Sequence, residues 1–373
     1  MTPPNTEPRH VWLPHWAQIM LVAASALMIL LPSADMLLHF DPTPPPQENR
    51  HLATLPELDG TLLTLQKWPS QFEDWARDHF GLRSSLIHAH SVLLQDVIGV
   101  AARQDVVIGK DGWLFLGTNK ALDLYRCLFP YQPQGLAYDL GTLRQRAEYL
   151  AERHIAYINA WAPLKANVYP EFLPEWIHKT GGPCRLDQVA AETKRLNLPF
   201  TDLRPAEQRA RQAGLAYHKT DTHWNPRGAY FAYQQLTQEI QKKFPQFQPP
   251  APERVRFVEE QRPGGDLARM LDLAVRYAGP EVQLALEKRC HPVPPSVTRP
   301  AGVKLEAYDC PGGGLRILML HDSFGNALIP FFAESAGHLL SVEFGGFDKE
   351  IIENEKPDVL IEVHVERQLQ PDR

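Results

Sequence analysis

Apolar residues crowd the N-terminal part of the chain and then spread out. From residue 16 to residue 31 only Gln18 and Ser25 interrupt an apolar run, which continues through Met36-Leu37-Leu38 despite Pro32 and Asp35. That reaches the ~20 residues a bilayer span needs and predicts a transmembrane anchor over 16–38. Within residues 69–94 the apolar positions Phe72, Trp75, Ala76, Phe80, Leu82, Leu86 and Ile87 recur with helical spacing on either side of Gly81. This predicts an amphipathic helical neck packing on the main domain. Residues 106–108 and 113–116 are short β-type runs around Gly109-Lys110-Asp111-Gly112, and the Asp-Gly pair predicts a hairpin.

From Asp139 onward helical stripes alternate with short apolar runs, the pattern of a parallel sheet with helices on both faces. Leu140, Leu143, Ala147, Leu150 and Ala151 form one stripe, followed by a β-type run at 154–161. A second unit runs from a helix at 186–196 into Phe200-Thr201-Asp202-Leu203. A third places a strand at 315–320 before a turn and a helix from about 326 to 335. The last strand spans 358–365, after Pro357, and leaves the expectation of no appended carbohydrate-binding domain.

Composition adds three constraints. The 373 residues fit one membrane element plus one sizeable α/β domain, and 44% hydrophobic content supports a core. With 38 Lys plus Arg against 44 Asp plus Glu, the net charge is -6, and no basic run offers a phosphate-neutralising stripe, so nucleic acid is not an expected partner. Proline, at 34 residues well above ordinary usage, is concentrated at 42–46, 245–252 and 292–300, which reads as extended linkers and surface loops.

The four cysteines, Cys127, Cys184, Cys290 and Cys310, show no CxxC spacing and no neighbouring His pair, so a zinc site is poorly supported, and no metal or cofactor is among the expectations. They admit two readings: Cys290–Cys310 and Cys127–Cys184 disulfides in an oxidising compartment, or buried free thiols. The N-terminal run also has a rival reading, a signal peptide cleaved after Ala34. Its length and the lack of a clean A-x-A site favour an uncleaved anchor. Trp12, His15 and Trp16 suit a membrane interface, while Arg9 alone supplies positive charge on the N-terminal side and sets orientation weakly.

Two segments carry candidate chemistry. In Arg316-Ile-Leu-Met-Leu-His-Asp322-Ser323-Phe324-Gly325-Asn326 an apolar strand runs into Asp-Ser and a turn. This puts a serine hydroxyl at the carboxyl edge of a parallel sheet, where open α/β folds place their sites. The following helix start would favour a developing oxyanion. Ser323 as a plain helix cap is the alternative. In Tyr217-His218-Lys-Thr-Asp221-Thr-His223-Trp224-Asn225-Pro226, Asn225 is an N-cap and Pro226 a first helical residue, so Asp221 and His223 sit on the preceding loop. At that spacing Asp221 reaches Nδ1 of His223, leaving Nε2 to activate a serine.

These motifs resemble the alginate O-acetyltransferase (AlgX/AlgJ-type) family of SGNH-hydrolase-like proteins. The resemblance rests on the ordered series Phe72-Glu-Asp-Trp75-Ala-Arg-Asp78-His79-Phe80-Gly-Leu-Arg83, Lys110-Asp-Gly-Trp-Leu-Phe-Leu116, Pro163-Leu-Lys165 with Tyr169-Pro170, the Asp-Thr-His-Trp loop, Gly265-Asp266-Leu267 and Asp322-Ser323-Phe324. It implies a three-layer SGNH-hydrolase-like (flavodoxin-like) parallel sheet, with Asp221 and His223 preceding Ser323 in a circularly permuted triad order. His321 departs from the Gly that often precedes Asp-Ser, and no unambiguous oxyanion Asn stands out. The resemblance further implies a bacterial inner-membrane, periplasmic enzyme acetylating an exported polysaccharide, with a membrane-bound O-acyltransferase as acetyl supplier.

The expected organisation is a short cytoplasmic tail (1–15), the anchor (16–38), a Pro-rich tether and neck (39–103) and the acyltransferase domain (104–373). Around the triad, Lys165, Tyr169, Trp224 and Asn326 are candidate substrate or oxyanion residues. Trp161 and Phe324 are further sugar-stacking candidates, and Glu366 and Arg367 a pair across the rim. Asp78-His79 lies on the neck helix, where consecutive residues do not face each other, so its expected role is structural. Asp322 is expected to fix the turn through backbone N–H groups. Two rival functions share these residues: an esterase or deacetylase with water as acceptor, and a non-catalytic polysaccharide-binding subunit.

Overall fold

A long run with no polar stripe has no face to turn away from a core, so the N-terminal segment folds as one helix, α1 (His15–Leu38), with its apolar side chains exposed. Its 24 residues would extend ~36 Å at 1.5 Å per residue, and its best window has a mean hydropathy of 2.0. The computed structural model describes residues 14–43, 52–58, 60–118, 120–297 and 303–369. Arg9, Trp12, tether residues 44–47 and residues 298–300 of the third proline cluster therefore lie outside the described residues. The chain divides into two units, Met1–Gly99 and Val100–Arg373.

In the first unit, α2 (Leu62–His79) begins at Thr61, whose hydroxyl accepts the Thr64 N–H. Pro69 lies inside this helix rather than at its start. It removes one N–H from the ladder, and the helix continues through it. Trp68, Phe72, Trp75 and His79 form a run of ring contacts along one side, with centroids 4.8, 5.5 and 5.4 Å apart. Asp78 and His79 make no dyad: Asp78 accepts the Ala53 N–H at 2.8 Å, and His79 Nδ1 meets the Trp75 carbonyl at 2.9 Å. Before α3 (Arg83–Leu93) a Cβ on Gly81 would collide with the Pro32 carbonyl. Asp35 of α1 accepts the backbone N–H groups of Asp41 and Leu82 at 2.7 and 2.8 Å, tying this turn to the helix.

The second unit opens with the expected hairpin, β1 (Val106–Ile108) and β2 (Leu114–Leu116), turned through Asp111 and Gly112 at positive φ. Then come α4 (Ala121–Tyr125), α5 (Pro133–Ala151), β3 (Ala156–Ala162), α6 (Lys165–Val168), α7 (Arg185–Arg195), β4 (Thr201–Asp202), α8 (Arg204–Ala213) and α9 (Pro226–Gln241). After these follow β5 (Val255–Arg262), α10 (Asp266–Met270), β6 (Gly279–Leu286), β7 (His291–Val293), β8 (Lys304–Asp309), β9 (Arg316–His321), α11 (Ile329–Ala333), β10 (His338–Glu343), α12 (Lys349–Glu355) and β11 (Val359–Val365).

Among the described residues, seven strands form the main sheet in the order β4-β3-β11-β9-β10-β8-β7. Its first five strands are parallel, and β11, the last strand among the described residues, lies between β3 and β9. Alternate residues serve opposite layers. Ile158, Ala160, Ile317, Met319, Ile361 and Val363 pack toward α9 and α11, while Leu318, Leu320, Leu340 and Leu360 meet Leu150 of α5 and Ile351 and Ile352 of α12.

The parallel sheet is extended at one edge by two strands the sequence pattern did not mark, β8 and β7, which run antiparallel. An antiparallel neighbour needs no crossover helix, so the 304–309 run joins the sheet without the strand-helix alternation that signals a parallel unit. Register pairs His291 with Asp309, which sets Cys290 opposite Cys310, and these two form a disulfide; Cys127–Cys184 is the second. β5 and β6 make a separate eight-residue antiparallel arm. The helix expected over 326–335 is also shorter. A 3-10 turn (Ser323–Ala327) comes first, and α11 starts only at Ile329.

Candidate active site

Ser323 begins the turn that leaves β9. Asp322 fixes that turn: its Oδ1 accepts the Phe324 N–H at 2.9 Å and its Oδ2 the Val365 N–H at 2.8 Å, which ties the turn to the end of β11. The residue before it, His321, is buried, with Nε2 2.6 Å from Ser341 Oγ and Nδ1 2.6 Å from the Asp322 carbonyl oxygen. A Cβ on Gly325 would collide with the His321 ring, so the bulky residue at 321 is matched by the absence of a side chain at 325.

The loop before α9 supplies the other two groups. Asn225 caps α9, accepting the Arg227 and Gly228 N–H groups at 2.9 and 3.1 Å, and thereby fixes where the loop ends. His223 Nε2 lies 2.8 Å from Ser323 Oγ, and His223 Nδ1 lies 2.7 Å from Asp221 Oδ1. Asp221 also accepts the Asp266 N–H at 2.9 Å. Burial alone would raise the Asp221 carboxyl. The hydrogen bond and charge of His223 and the backbone N–H groups of Asp266 and His223 outweigh it, holding the group well below the usual carboxylate range.

This loop is clamped from three sides. The Leu114 N–H reaches the Lys219 carbonyl at 2.9 Å. Lys165 Nζ donates to the carbonyls of His218, Lys219 and Asp221 at 3.2, 3.0 and 2.7 Å. Asp266 accepts both the Thr222 N–H and its hydroxyl, at 2.8 and 2.6 Å, while the Gly265 N–H meets Thr220 Oγ1 at 2.8 Å. A Cβ on Gly265 would strike Asp221, so glycine permits this approach. His218 pairs with Glu281 of β6, adding a link to the arm.

Several candidates change role. Lys165 is buried, so it holds the Asp-His loop from beneath instead of meeting a sugar. Burial pulls its ammonium down to about 7 against the carboxylates of Asp221, Asp266 and Glu281. Tyr169 is 3% exposed and its hydroxyl accepts the Ala216 N–H, leaving no face for stacking. Trp224, 1% exposed, donates from Nε1 to the Phe324 carbonyl at 3.0 Å and pins the serine turn to the histidine loop. Phe324 is likewise buried, beneath the His223 ring. Asn326 Nδ2 donates to Glu343 at 2.9 Å, which commits the amide away from Ser323.

Trp161 faces a different space, a cavity of about 310 Å³ also lined by Asp139, Arg146, Asn159 and His364, on the α5 side of the sheet. Nor do Glu366 and Arg367 pair with each other. Glu366 is buried and accepts the Leu164 N–H at 3.2 Å and Asn167 Nδ2 at 2.6 Å. Arg367 Nη2 lies 3.4 Å from Ser323 Oγ.

The helix-start contribution to an oxyanion is smaller than the sequence suggested. The Phe324 and Gly325 N–H groups are already taken by Asp322, and the turn is too short to sum a macrodipole. One cluster, Asp221, His223 and Asp266, brings three donor atoms within 4.8 Å of one another. Those atoms are engaged in the hydrogen bonds above.

Comparison with known proteins gives this geometry a family setting. The chain is 30% identical over 177 residues to a protein of Pseudomonas aeruginosa described as probable alginate O-acetylase AlgJ, covering 46% of this chain and 42% of that one. The Pseudomonas syringae counterpart is 30% identical over 175 residues with the same coverages. The chain thus spans about two fifths of the length of these relatives. Bacillus cereus PatB1 superposes with a TM-score of 0.53 at 15% identity, covering 72% of this chain and 97% of PatB1, which is a likeness of fold. The family model described as SGNH hydrolase-like domain, acetyltransferase AlgX matches residues 106–303, a span that includes Asp221 and His223 and ends before Ser323. The chain belongs to this family of SGNH hydrolase-like, AlgX-type acetyltransferase domains.

Proposed function

We propose that the chain is an O-acetyltransferase that passes acetyl groups through a Ser323 acyl-enzyme to hydroxyls of an exported polysaccharide. The observation that carries this reading is the continuous hydrogen-bonded series from Ser323 Oγ through His223 to Asp221, at 2.8 and 2.7 Å. A serine hydroxyl is a weak nucleophile at neutral pH, and an imidazole at hydrogen-bond distance with a carboxylate on its other nitrogen is what activates it. In the first half-reaction Ser323 Oγ bonds to the acetyl carbon while its proton passes to His223 Nε2, which then protonates the leaving atom. In the second, His223 takes the proton of a sugar hydroxyl as its oxygen attacks the acyl carbon, the bond from that carbon to Ser323 Oγ breaks, and His223 returns the proton to Oγ. Asp221 keeps the imidazole in the required tautomer and stabilises its protonated form.

The polysaccharide acceptor follows from the AlgJ relatives, whose names specify alginate O-acetylation. The apolar α1 supports an inner-membrane anchor at 16–38, preceded by a short cytoplasmic tail (1–15). In this organisation residues 39–103 form a tether and neck, and residues 104–373 the periplasmic catalytic domain. Two disulfides suit that oxidising compartment. A membrane-bound O-acyltransferase would deliver acetyl across the bilayer to Ser323.

The test is Ser323→Ala in the detergent-solubilised full chain, assayed on a small acetyl ester and on polysaccharide. Turnover should fall by about 10⁴ or more with the melting temperature unchanged. A folded Ser323→Ala protein with full activity would remove the acyl-enzyme reading. Acetyl release without acetyl gain by any polysaccharide would reassign the chain as an esterase.

A further inference from the structure

The turn after β11 (residues 366–368) carries a guanidinium toward the nucleophile, and three features set it apart from a surface arginine. Arg367 Nη2 stands 3.4 Å from Ser323 Oγ, a long contact that leaves the donor's capacity unspent. The guanidinium carbon lies 5.3 Å from the centre of the Phe324 ring, which holds the group in place without a hydrogen bond. Among the described residues no carboxylate lies within ion-pair distance of it. Its partly buried charge makes no direct ion pair, and burial lowers the Arg367 pKa from its ordinary value against the more distant carboxylates of Asp322, Asp266 and Asp221.

The position is built in. Glu366, buried beside Arg367, accepts the Leu164 N–H and Asn167 Nδ2 and so locks the turn. Asp322 binds the Val365 N–H and locks the turn to the Ser323 segment. Meanwhile the neighbouring backbone donors of Phe324 and Gly325 are spent on Asp322, and the Asn326 amide on Glu343. Those two backbone donors and one Asn326 N–H are therefore committed elsewhere, while Arg367 still reaches toward Ser323 Oγ.

We propose that Arg367 is the oxyanion-binding catalytic residue of this site. The inference rests on the acyl-enzyme reading. When Ser323 Oγ bonds to the acetyl carbonyl carbon, the C=O π pair moves onto oxygen while the Ser323 proton goes to His223 Nε2. The resulting alkoxide sits one atom beyond Oγ, within reach of the Arg367 N–H groups. On collapse the pair re-forms C=O, the bond to the donor's leaving oxygen or sulfur breaks, and His223 returns the proton to that atom. A charge-assisted contact made only with the tetrahedral species lowers the barrier without tightening ground-state binding.

The experiment compares the parent protein with Arg367→Gln, Arg367→Lys and Arg367→Ala in the full chain, using p-nitrophenyl acetate as an uncharged donor. Arg367→Gln should lower kcat by about 10²–10³-fold with KM little changed, the size of an oxyanion donor's loss. Arg367→Lys should retain part of the rate, and millimolar guanidinium ion should restore part of the Arg367→Ala rate. An unchanged kcat in folded Arg367→Gln overturns the proposal. So does a rate on the uncharged ester that holds while transfer to a uronate-bearing oligosaccharide falls, since Arg367 would then bind the acceptor's carboxylate. An inactive Ser323→Ala beside a fully active Arg367→Gln would sink this inference alone, whereas an active Ser323→Ala would sink the acyl-enzyme reading beneath it.

Discussion

Where β9 hands over to the serine turn, the His321 ring fills the space a side chain at residue 325 would need, and its Nε2 is fixed by Ser341. Gly325→Ala should therefore cost about 1–3 kcal/mol through overpacking and shift Ser323, lowering both melting temperature and turnover. A variant with parent-like values in both would mean that the ring and turn can part freely. Lys165 permits a pH test. Its Nζ meets three carbonyls, and burial pulls its ammonium down to about 7. In the unfolded chain the group keeps its proton to about 10.4, so between those values unfolding takes up a proton and stability rises with pH. Denaturant titrations should show the parent gaining on Lys165→Met by about 1 kcal/mol per pH unit from pH 7 to 10, and by nothing below pH 6. A difference that stays flat across pH 7 to 10 would show that Lys165 keeps its proton in the folded state.

Among the elements, the β7–β8 edge depends most on covalent support. Among the described residues β7, three residues long, pairs on one side only, and Cys290–Cys310 closes a span of 20 residues at its end. Chain-entropy arguments give such a closure about 3 kcal/mol. Cys290→Ser with Cys310→Ser should lower stability by about that amount while leaving turnover near parent, measured by denaturation and ester assay. Loss of activity in a still-folded double variant would mean that the edge reaches the site. The elements read well from sequence where a local signal marks their start: Asn225 and Pro226 opened α9, Asp-Gly made the first hairpin, and Pro357 preceded β11. They read poorly where pairing was remote. The β5–β6 arm and the antiparallel β8 have no local punctuation that names their partners, and a two-residue strand such as β4 is too short to show a period. In the site, the Asp-His and Asp-Ser segments each carried a local pattern. The proximity of Arg367 to Ser323, 44 residues away, arises only because β11 inserts beside β9.

The proposed enzyme has its apolar helix in the inner membrane and its catalytic unit outside the cytoplasm. A reporter active only in the periplasm, fused to the C-terminus, should give signal, and a cytoplasmic reporter should not. The reverse pattern would remove the exported polysaccharide from the proposal and leave an esterase-like site of other purpose. An acyl-enzyme is a covalent species, so intact-mass spectrometry detects it as added mass. The solubilised protein, mixed with an activated acetyl ester and quenched in acid, should gain the mass of one acetyl group, located by peptide mapping at Ser323 and absent in Ser323→Ala. Turnover with no such adduct at any quench time, or an adduct that persists in Ser323→Ala, would rule out an acyl-enzyme at Ser323.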